Sequence, residues 1–239
     1  MTDPVYLRPP LGGTGIGDFS LHDFAAKWMM QQDDIAETGV FAAANAALPP
    51  PAEAARVLMF GDSITAFWDV ASLSSPGLEF VNRGIPGQNS SQMLLRFIDD
   101  VVSLQPATVA ILCGTNDLRA YVGDPAAVAA SALARIRRNL TAMCDIAKAN
   151  GIAVILSTLP PVTVDRDRVN RDIQAIRTVN AWIETFAAAR FYPVADYYRA
   201  LADAGGYLAP EDGEDGLHPS AAGYARMGPA LDRALKAQT

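Results

Sequence analysis

From Arg56 onward, short runs of consecutive apolar residues alternate with longer amphipathic stretches, and this alternation constrains the fold more than any other feature of the chain. The strand candidates are Val57–Phe60, Leu78–Asn82, Thr108–Cys113, Ala153–Thr158 and Phe191–Val194. Helical periodicity occupies about Ser90–Leu104, Asp124–Ala149, Asp172–Ala189 and Pro219–Ala237. A strand that is apolar along its whole length has to be covered on both faces. Strands of this kind separated by amphipathic helices therefore predict a parallel sheet between two helical layers. The expected fold is α/β: a three-layer α/β/α sandwich around a central, mainly parallel five-stranded sheet of flavodoxin-like or related winding. Ligands of such sheets bind beyond the carboxyl ends of the strands.

At 239 residues the chain suits one such domain with an appendage. A formal net charge of -7 argues against nucleic acid or an anionic membrane surface as a main partner, because both require clustered Lys and Arg. No apolar stretch reaches the roughly 18 residues of a membrane span, so integral membrane association is not expected. The N-terminus lacks a positively charged segment leading into a hydrophobic one, which makes a cytoplasmic protein the default. An exported form with its leader removed is the alternative. The two cysteines, Cys113 and Cys144, provide neither a disulfide framework nor a CxxC motif, and both fall in patterns expected to be buried.

Residues 1–52 differ from the remainder and are read as a partly helical N-terminal extension docked on a domain spanning 53–239. Pro9-Pro10 and the Gly12–Gly17 cluster read as extended chain. Ser20, followed by Asp23, resembles a helix N-cap opening a stripe of Leu21, Phe24, Ala25, Trp28 and Met29. A second, Ala-rich segment ends at Leu48, where Pro49-Pro50-Pro51 stops it. The Phe24/Trp28/Met29 stripe either packs on the main domain or covers an acyl site or a second subunit.

Four blocks carry the chemistry. Gly61-Asp62-Ser63 follows the first apolar run, so Ser63 should sit at the carboxyl edge of the sheet beside the start of a helix. A serine hydroxyl is inert until a base takes its proton. The chain has two histidines. His22 falls in the N-terminal helix candidate and reads as solvated. His218 follows Asp215 by three residues on a Gly-containing turn and precedes Pro219, a good first helical residue. Asp215 can then hold the Nδ1 proton of His218 while Nε2 accepts the Ser63 proton. Donors for a developing oxyanion are available from the N–H of Ser63, the N–H of Gly84 and the side-chain amide of Asn116, all expected at one edge of the sheet.

These blocks resemble those of the GDSL or SGNH hydrolase family. Gly61-Asp62-Ser63, Gly84, Gly114-Thr115-Asn116-Asp117 and Asp215-Gly216-Leu217-His218 match its motifs in identity and order, with Ile64 where the family's name has Leu. The resemblance spans Gly61 to His218 and leaves the first 50 residues outside it. It implies hydrolysis of carboxylic esters or thioesters through an acyl-enzyme, on a small-molecule ester substrate, with no metal or cofactor. The residues it implicates are Ser63, Asp215 and His218 as triad, with Ser63, Gly84 and Asn116 as oxyanion hole. Short acyl chains, acetyl among them, are favoured because no long hydrophobic groove is evident. An acyltransferase using the same acyl-enzyme, and a non-catalytic binding module on the same fold, are the competing readings.

Other features are weaker. Gly12-Gly13-Thr14-Gly15-Ile16-Gly17 lacks the Gly-Lys-Ser/Thr ending of a phosphate loop and no strand precedes it. Glu211–Asp215 does not match calcium-loop spacing and reads as a solvated acidic loop. Trp68 either borders the acyl or alcohol pocket or packs in the core. The Asp165–Arg168 run reads as a solvated loop.

Overall fold

The sheet forms where the sequence is most continuously apolar. In the computed structural model, which describes residues 34–51, 55–73, 75–119, 125–165 and 169–238, five strands form one sheet. They are β1 (Ala55–Gly61), β2 (Leu78–Gly84), β3 (Thr108–Leu112), β4 (Ala153–Ser157) and β5 (Val194–Ala195). Their order is β2-β1-β3-β4-β5, and every neighbouring pair is parallel. All of β3, and all but the first residue of β1 and β4, are buried, as strands covered on both faces must be. The order is the flavodoxin-like one, whose winding reverses between β1 and β3. Gly61 on β1 lies opposite Gly84 on β2 and Leu112 on β3, so three loops leave the sheet at one level.

The flanking helices are α1 (Ala42–Ala47), α2 (Ser63–Ala66), α3 (Ser90–Leu95), α4 (Phe97–Asp100), α5 (Pro125–Ala149), α6 (Ile173–Arg190), α7 (Tyr197–Leu201) and α8 (Ala221–Lys236). Together with the sheet they make the three-layer sandwich. Leu58, Phe60, Ile111, Ile155 and Leu156 are fully or almost fully buried at its centre, and Phe60 meets Phe97 edge to face at 5.3 Å. Cys113 and Cys144 are buried free thiols. Burial pushes the Cys144 thiol up to about 12 and Cys113 well above the ordinary value, which keeps both protonated.

Several boundaries shift by a residue or two from the sequence-based expectation, and three departures have a local physical reason. The fifth strand is Val194–Ala195, because Phe191 adopts left-handed backbone (φ 58°, ψ 33°) to close α6 and leaves its ring in solvent. The helix expected over Ser90–Leu104 is divided into α3, α4 and a 3-10 turn at Val102–Leu104. At the first break lies Arg96, whose side chain is completely buried. Its Nε donates to Gln88 Oε1 (2.6 Å), Nη1 to Arg83 O and Asp100 Oδ2 (2.9 Å each), and Nη2 to Gly61 O (3.0 Å). A buried guanidinium left unsatisfied is costly, so these partners prevail over helical continuity. Finally, α8 is capped by Ser220, whose Oγ accepts the Gly223 N–H, while Pro219 pairs with Gly213 in a bridge outside the helix.

Residues Ala36–Thr239 form one compact unit, which therefore includes 36–51. Asn45 on α1 ties that segment down: its Nδ2 donates to Asp100 Oδ1 (2.7 Å), and its Oδ1 accepts from Arg83 Nε (2.7 Å). The Ser20 helix candidate, the Phe24/Trp28/Met29 stripe, His22 and Gly12–Gly17 lie outside the described residues.

Candidate active site

The nucleophile candidate is delivered by a strand-to-helix turn. Asp62 is the N-cap of α2; its Oδ1 accepts the Ile64 N–H at 2.9 Å, and Ser63 becomes the first helical residue. The Ser63 N–H has no hydrogen-bond acceptor among the described residues, as expected of a helix's first donors. The short helix is clamped from its other side: Tyr224 donates its hydroxyl to Ile64 O (2.8 Å), and Asn82 Nδ2 donates to Thr65 O (2.7 Å) and Trp68 O (3.1 Å).

The Asp-x-x-His spacing acts through local turn chemistry. Asp215 Oδ1 accepts the N–H of Leu217 (3.0 Å) and of His218 (2.8 Å), closing an Asx-type turn. The same carboxylate's Oδ2 lies 2.7 Å from His218 Nδ1. His218 Nε2 in turn lies 2.9 Å from Ser63 Oγ, across 155 residues of sequence. With Nδ1 protonated toward Asp215, Nε2 is the acceptor for the serine hydroxyl. Partial burial pushes the Asp215 carboxyl up, but hydrogen bonds from the His218 N–H, the His218 ring and Leu217 outweigh it and hold the group below the ordinary value. The exposed Phe67 ring stands 5.2 Å from the imidazole.

Asn116 is buried on the loop after β3, and its carboxamide is held at both ends. Nδ2 donates to Gln88 O (3.0 Å) and reaches Asp62 Oδ2 only at 3.4 Å; Oδ1 accepts from Arg171 Nη2 (2.8 Å). The adjacent Asp117 fixes the block to the start of α3 through Ser90 N (2.8 Å) and Ser90 Oγ (2.7 Å), and pairs with Arg135 Nε (2.8 Å).

Gly84 does not offer the free donor expected of it. Its N–H is donated to Asn82 Oδ1 at 2.8 Å. The absence of a side chain serves packing: a Cβ there would lie 2.2 Å from Ala66 N and 2.8 Å from Asp62 O, so α2 crosses directly over the residue. Three residues on, Ile85-Pro86-Gly87-Gln88 forms a turn closed by Gln88 N–H to Ile85 O (3.4 Å), with Gly87 at φ 84°. That is the type II arrangement, Pro second and Gly third, and it leaves the Gly87 N–H outside the closing bond. No acceptor takes that N–H among the described residues.

The sequence reading passed over four residues in or next to this candidate site. They are Gly87, whose Pro-Gly dipeptide was a visible turn signal; Gln88 and Arg171, which carry no local signal; and Asp62, legible only as a cap. Asp62 is fully buried, and burial raises its carboxyl from 3.8 to about 6 against the opposing effects of the Ile64 N–H, the neighbouring His218 and the guanidinium groups of Arg171 and Arg119. Trp68 is buried between Tyr197 (5.6 Å) and Tyr224 (5.4 Å), so it is a core residue. The acidic Glu211–Asp215 loop is not uniformly solvated: Asp212 is completely buried and pairs with Arg226 at 3.1 Å. Positions 166–168 of the charged run lie outside the described residues.

The chain is similar along most of its length to proteins of one family. A GDSL-like lipase from Bacteroides thetaiotaomicron VPI-5482 superposes with a TM-score of 0.73 at 33% identity, over 85% of this chain and 99% of that one. The lipase/acylhydrolase from Enterococcus faecalis gives 0.63 at 27% identity, over 77% and 96%. The uncharacterized lipoprotein YqeF of Bacillus subtilis (strain 168) is 30% identical over 121 residues, 44% of this chain and 49% of that protein, so the match spans about half of that relative. The sequence profile of the GDSL-like Lipase/Acylhydrolase family matches residues 59–226, which contain every block described above, and the chain belongs to that family.

Proposed function

We propose that the protein is a serine-dependent hydrolase of carboxylic esters working through an acyl-enzyme. The observation that carries this reading is the continuous contact from Asp215 Oδ2 to His218 Nδ1 (2.7 Å) and from His218 Nε2 to Ser63 Oγ (2.9 Å). In the first half-reaction Ser63 Oγ attacks the ester carbonyl as its proton passes to His218 Nε2, and Asp215 stabilises the imidazolium. The imidazolium then gives that proton to the departing alkoxide, leaving the acyl group on Ser63. In the second half-reaction His218 takes a proton from water as its oxygen attacks the acyl carbon; the acyl–Oγ bond then breaks, the imidazolium returns the proton to Ser63 Oγ, and the acid departs.

The tetrahedral oxygen is received by the Ser63 N–H, the Asn116 Nδ2–H that Asp62 holds only loosely, and the Gly87 N–H in place of that of Gly84. Short acyl groups, acetyl foremost, are the proposed substrates, with Phe67 as an apolar wall beside the imidazole.

A serine-directed fluorophosphonate should label wild type at Ser63 and leave Ser63→Ala unlabelled. A panel of acyl esters from about two to sixteen carbons should show turnover concentrated at the short end, abolished in Ser63→Ala. An intact, folded wild type that neither labels nor turns over any ester would sink the reading. Free acid as the dominant product in the presence of an added alcohol separates hydrolysis from acyl transfer.

A further inference from the structure

An oxyanion donor on a side-chain amide has a weakness that a backbone N–H lacks. The Asn carboxamide is nearly symmetric in shape, and a half-turn about its last bond would aim Oδ1 instead of Nδ2 at the reacting carbonyl, replacing attraction by repulsion. Something must therefore distinguish the two ends of Asn116. A carbonyl accepts only, so Gln88 O selects Nδ2 at 3.0 Å. A guanidinium donates only, so Arg171 Nη2 selects Oδ1 at 2.8 Å. Arg171 is itself immobilised. It is buried, its Nε donates to Thr115 O (3.0 Å), and its Nη1 donates to Val169 O (2.6 Å).

We propose, resting on the ester-hydrolase reading above, that Arg171 is a positioning residue for the oxyanion site. It locks the Asn116 carboxamide with Nδ2 toward the reacting oxygen, and its charge polarises that amide. The buried cation thus stands one carboxamide away from the atom on which negative charge develops, where little water screens it. Its effect belongs to the transition state. The ground-state carbonyl carries little charge, so substrate binding should barely register the loss of Arg171 while the chemical step slows. The same side chain ties the loop after β3 to the segment preceding α6, because its acceptors lie at Thr115 and Asn116 on one side and at Val169 on the other.

The test is a double-mutant cycle with p-nitrophenyl acetate, using Arg171→Met and Arg171→Lys, each alone and combined with Asn116→Ala. Asn116→Ala alone should lower kcat by roughly a hundred- to a thousandfold, as for removal of one oxyanion donor. Arg171→Met should lower kcat about ten- to a hundredfold with KM within about twofold, and Arg171→Lys, which keeps the charge and part of the donor set, should recover part of that loss. On the Asn116→Ala background, Arg171→Met should cost less than about twofold, because the residue through which it acts is already gone.

Multiplicative losses in the double variant would overturn the inference while leaving the oxyanion role of Asn116 intact. Wild-type kcat in Asn116→Ala would remove that role and this inference with it. If Arg171→Met does not fold, Arg171→Lys carries the cycle, with the Asn116 side-chain amide resonance in 15N spectra as a readout independent of activity. That resonance should move in Arg171→Lys, and an unmoved resonance with unchanged kcat overturns the inference.

Discussion

Asp215 holds His218 at two points with one carboxylate: Oδ1 takes the backbone N–H at 2.8 Å, and Oδ2 takes ring Nδ1 at 2.7 Å. Building the turn and orienting the imidazole are thereby the same act, which is why the three-residue spacing matters.

The two functions are separable by substitution. Asp215→Asn keeps an oxygen to close the turn but presents an amide donor to Nδ1, forcing the ring into the tautomer that protonates Nε2. We expect kcat to fall by roughly a thousand- to ten-thousandfold, with a melting temperature close to wild type. Asp215→Ala should lose the turn acceptor as well and cost an additional ~1 kcal/mol of stability. Melting curves recorded beside the kinetics distinguish the two variants, and an Asp215→Asn enzyme of near-native kcat would refute the tautomer argument.

Asp62 gives a pH dependence of stability with a definite sign. Its native carboxyl is raised from 3.8 to about 6, chiefly by burial. As pH rises past the lower value, the unfolded chain ionises at this position while the native state keeps its proton, so stability falls through that window and stays lower above it. A shift of that size corresponds to about 2–3 kcal/mol. Asp62→Asn, which retains an oxygen to cap α2, should be more stable than wild type by an amount of that order at pH 8, with the difference vanishing near pH 4. Urea titrations of both proteins across that range measure it. A difference independent of pH would show that Asp62 is not the group responsible.

Much of this architecture was legible because it follows local rules. Continuously apolar β1, β3 and β4 declared a sheet covered on both sides, and block identity and order singled out Ser63, Asn116, Asp215 and His218, of which Ser63, His218 and Asp215 meet in one hydrogen-bonded line. What escaped was set by tertiary demand. Nothing near Arg96 in the sequence announces that its guanidinium must reach Gly61 O and Gln88 Oε1, yet that burial lies where the predicted helix divides. Arg171 was equally silent, since its partner Asn116 lies 55 residues away. At Gly84 the N–H expected to be free is donated to Asn82 Oδ1, and nothing in the sequence warned of it, because a glycine needed for close approach and a glycine needed for a free N–H look identical there.

The two glycines can be told apart by adding one methyl group to each. At Gly84 the new Cβ would meet Ala66 N at 2.2 Å and Ala66 Cα at 2.7 Å, all backbone with no room to yield. Gly84→Ala should lose ~3 kcal/mol or fail to accumulate as folded protein. At Gly87 the nearest atom is Arg119 Nη2 at 3.9 Å, so the cost is the positive φ alone, roughly 1 kcal/mol. Relaxation of that turn toward negative φ would swing its N–H, and kcat should fall about tenfold, short of the loss of a whole donor. Thermal melts and kcat for both variants test the assignment. A stable, fully active Gly87→Ala combined with a stable but inactive Gly84→Ala would restore Gly84 as the donor.

Trp68 closes the question of what its ring is for. It is 4% exposed and sits between the rings of Tyr197 and Tyr224, while Tyr224 also donates to Ile64 O at the helix that carries Ser63. Its packing therefore braces Tyr224, which in turn holds α2. Trp68→Ala should cost about 3–5 kcal/mol, a drop in melting temperature of roughly 10 °C. Whatever fraction remains folded should keep the wild-type ranking of acyl esters by chain length, since no pocket wall has changed. The discriminating measurement is relative kcat/KM for two- and eight-carbon esters at a temperature where the variant is fully folded. A ratio shifted more than about fivefold toward the longer ester would place the indole at the pocket, because enlarging a substrate cavity by a side chain of that size admits the longer chain.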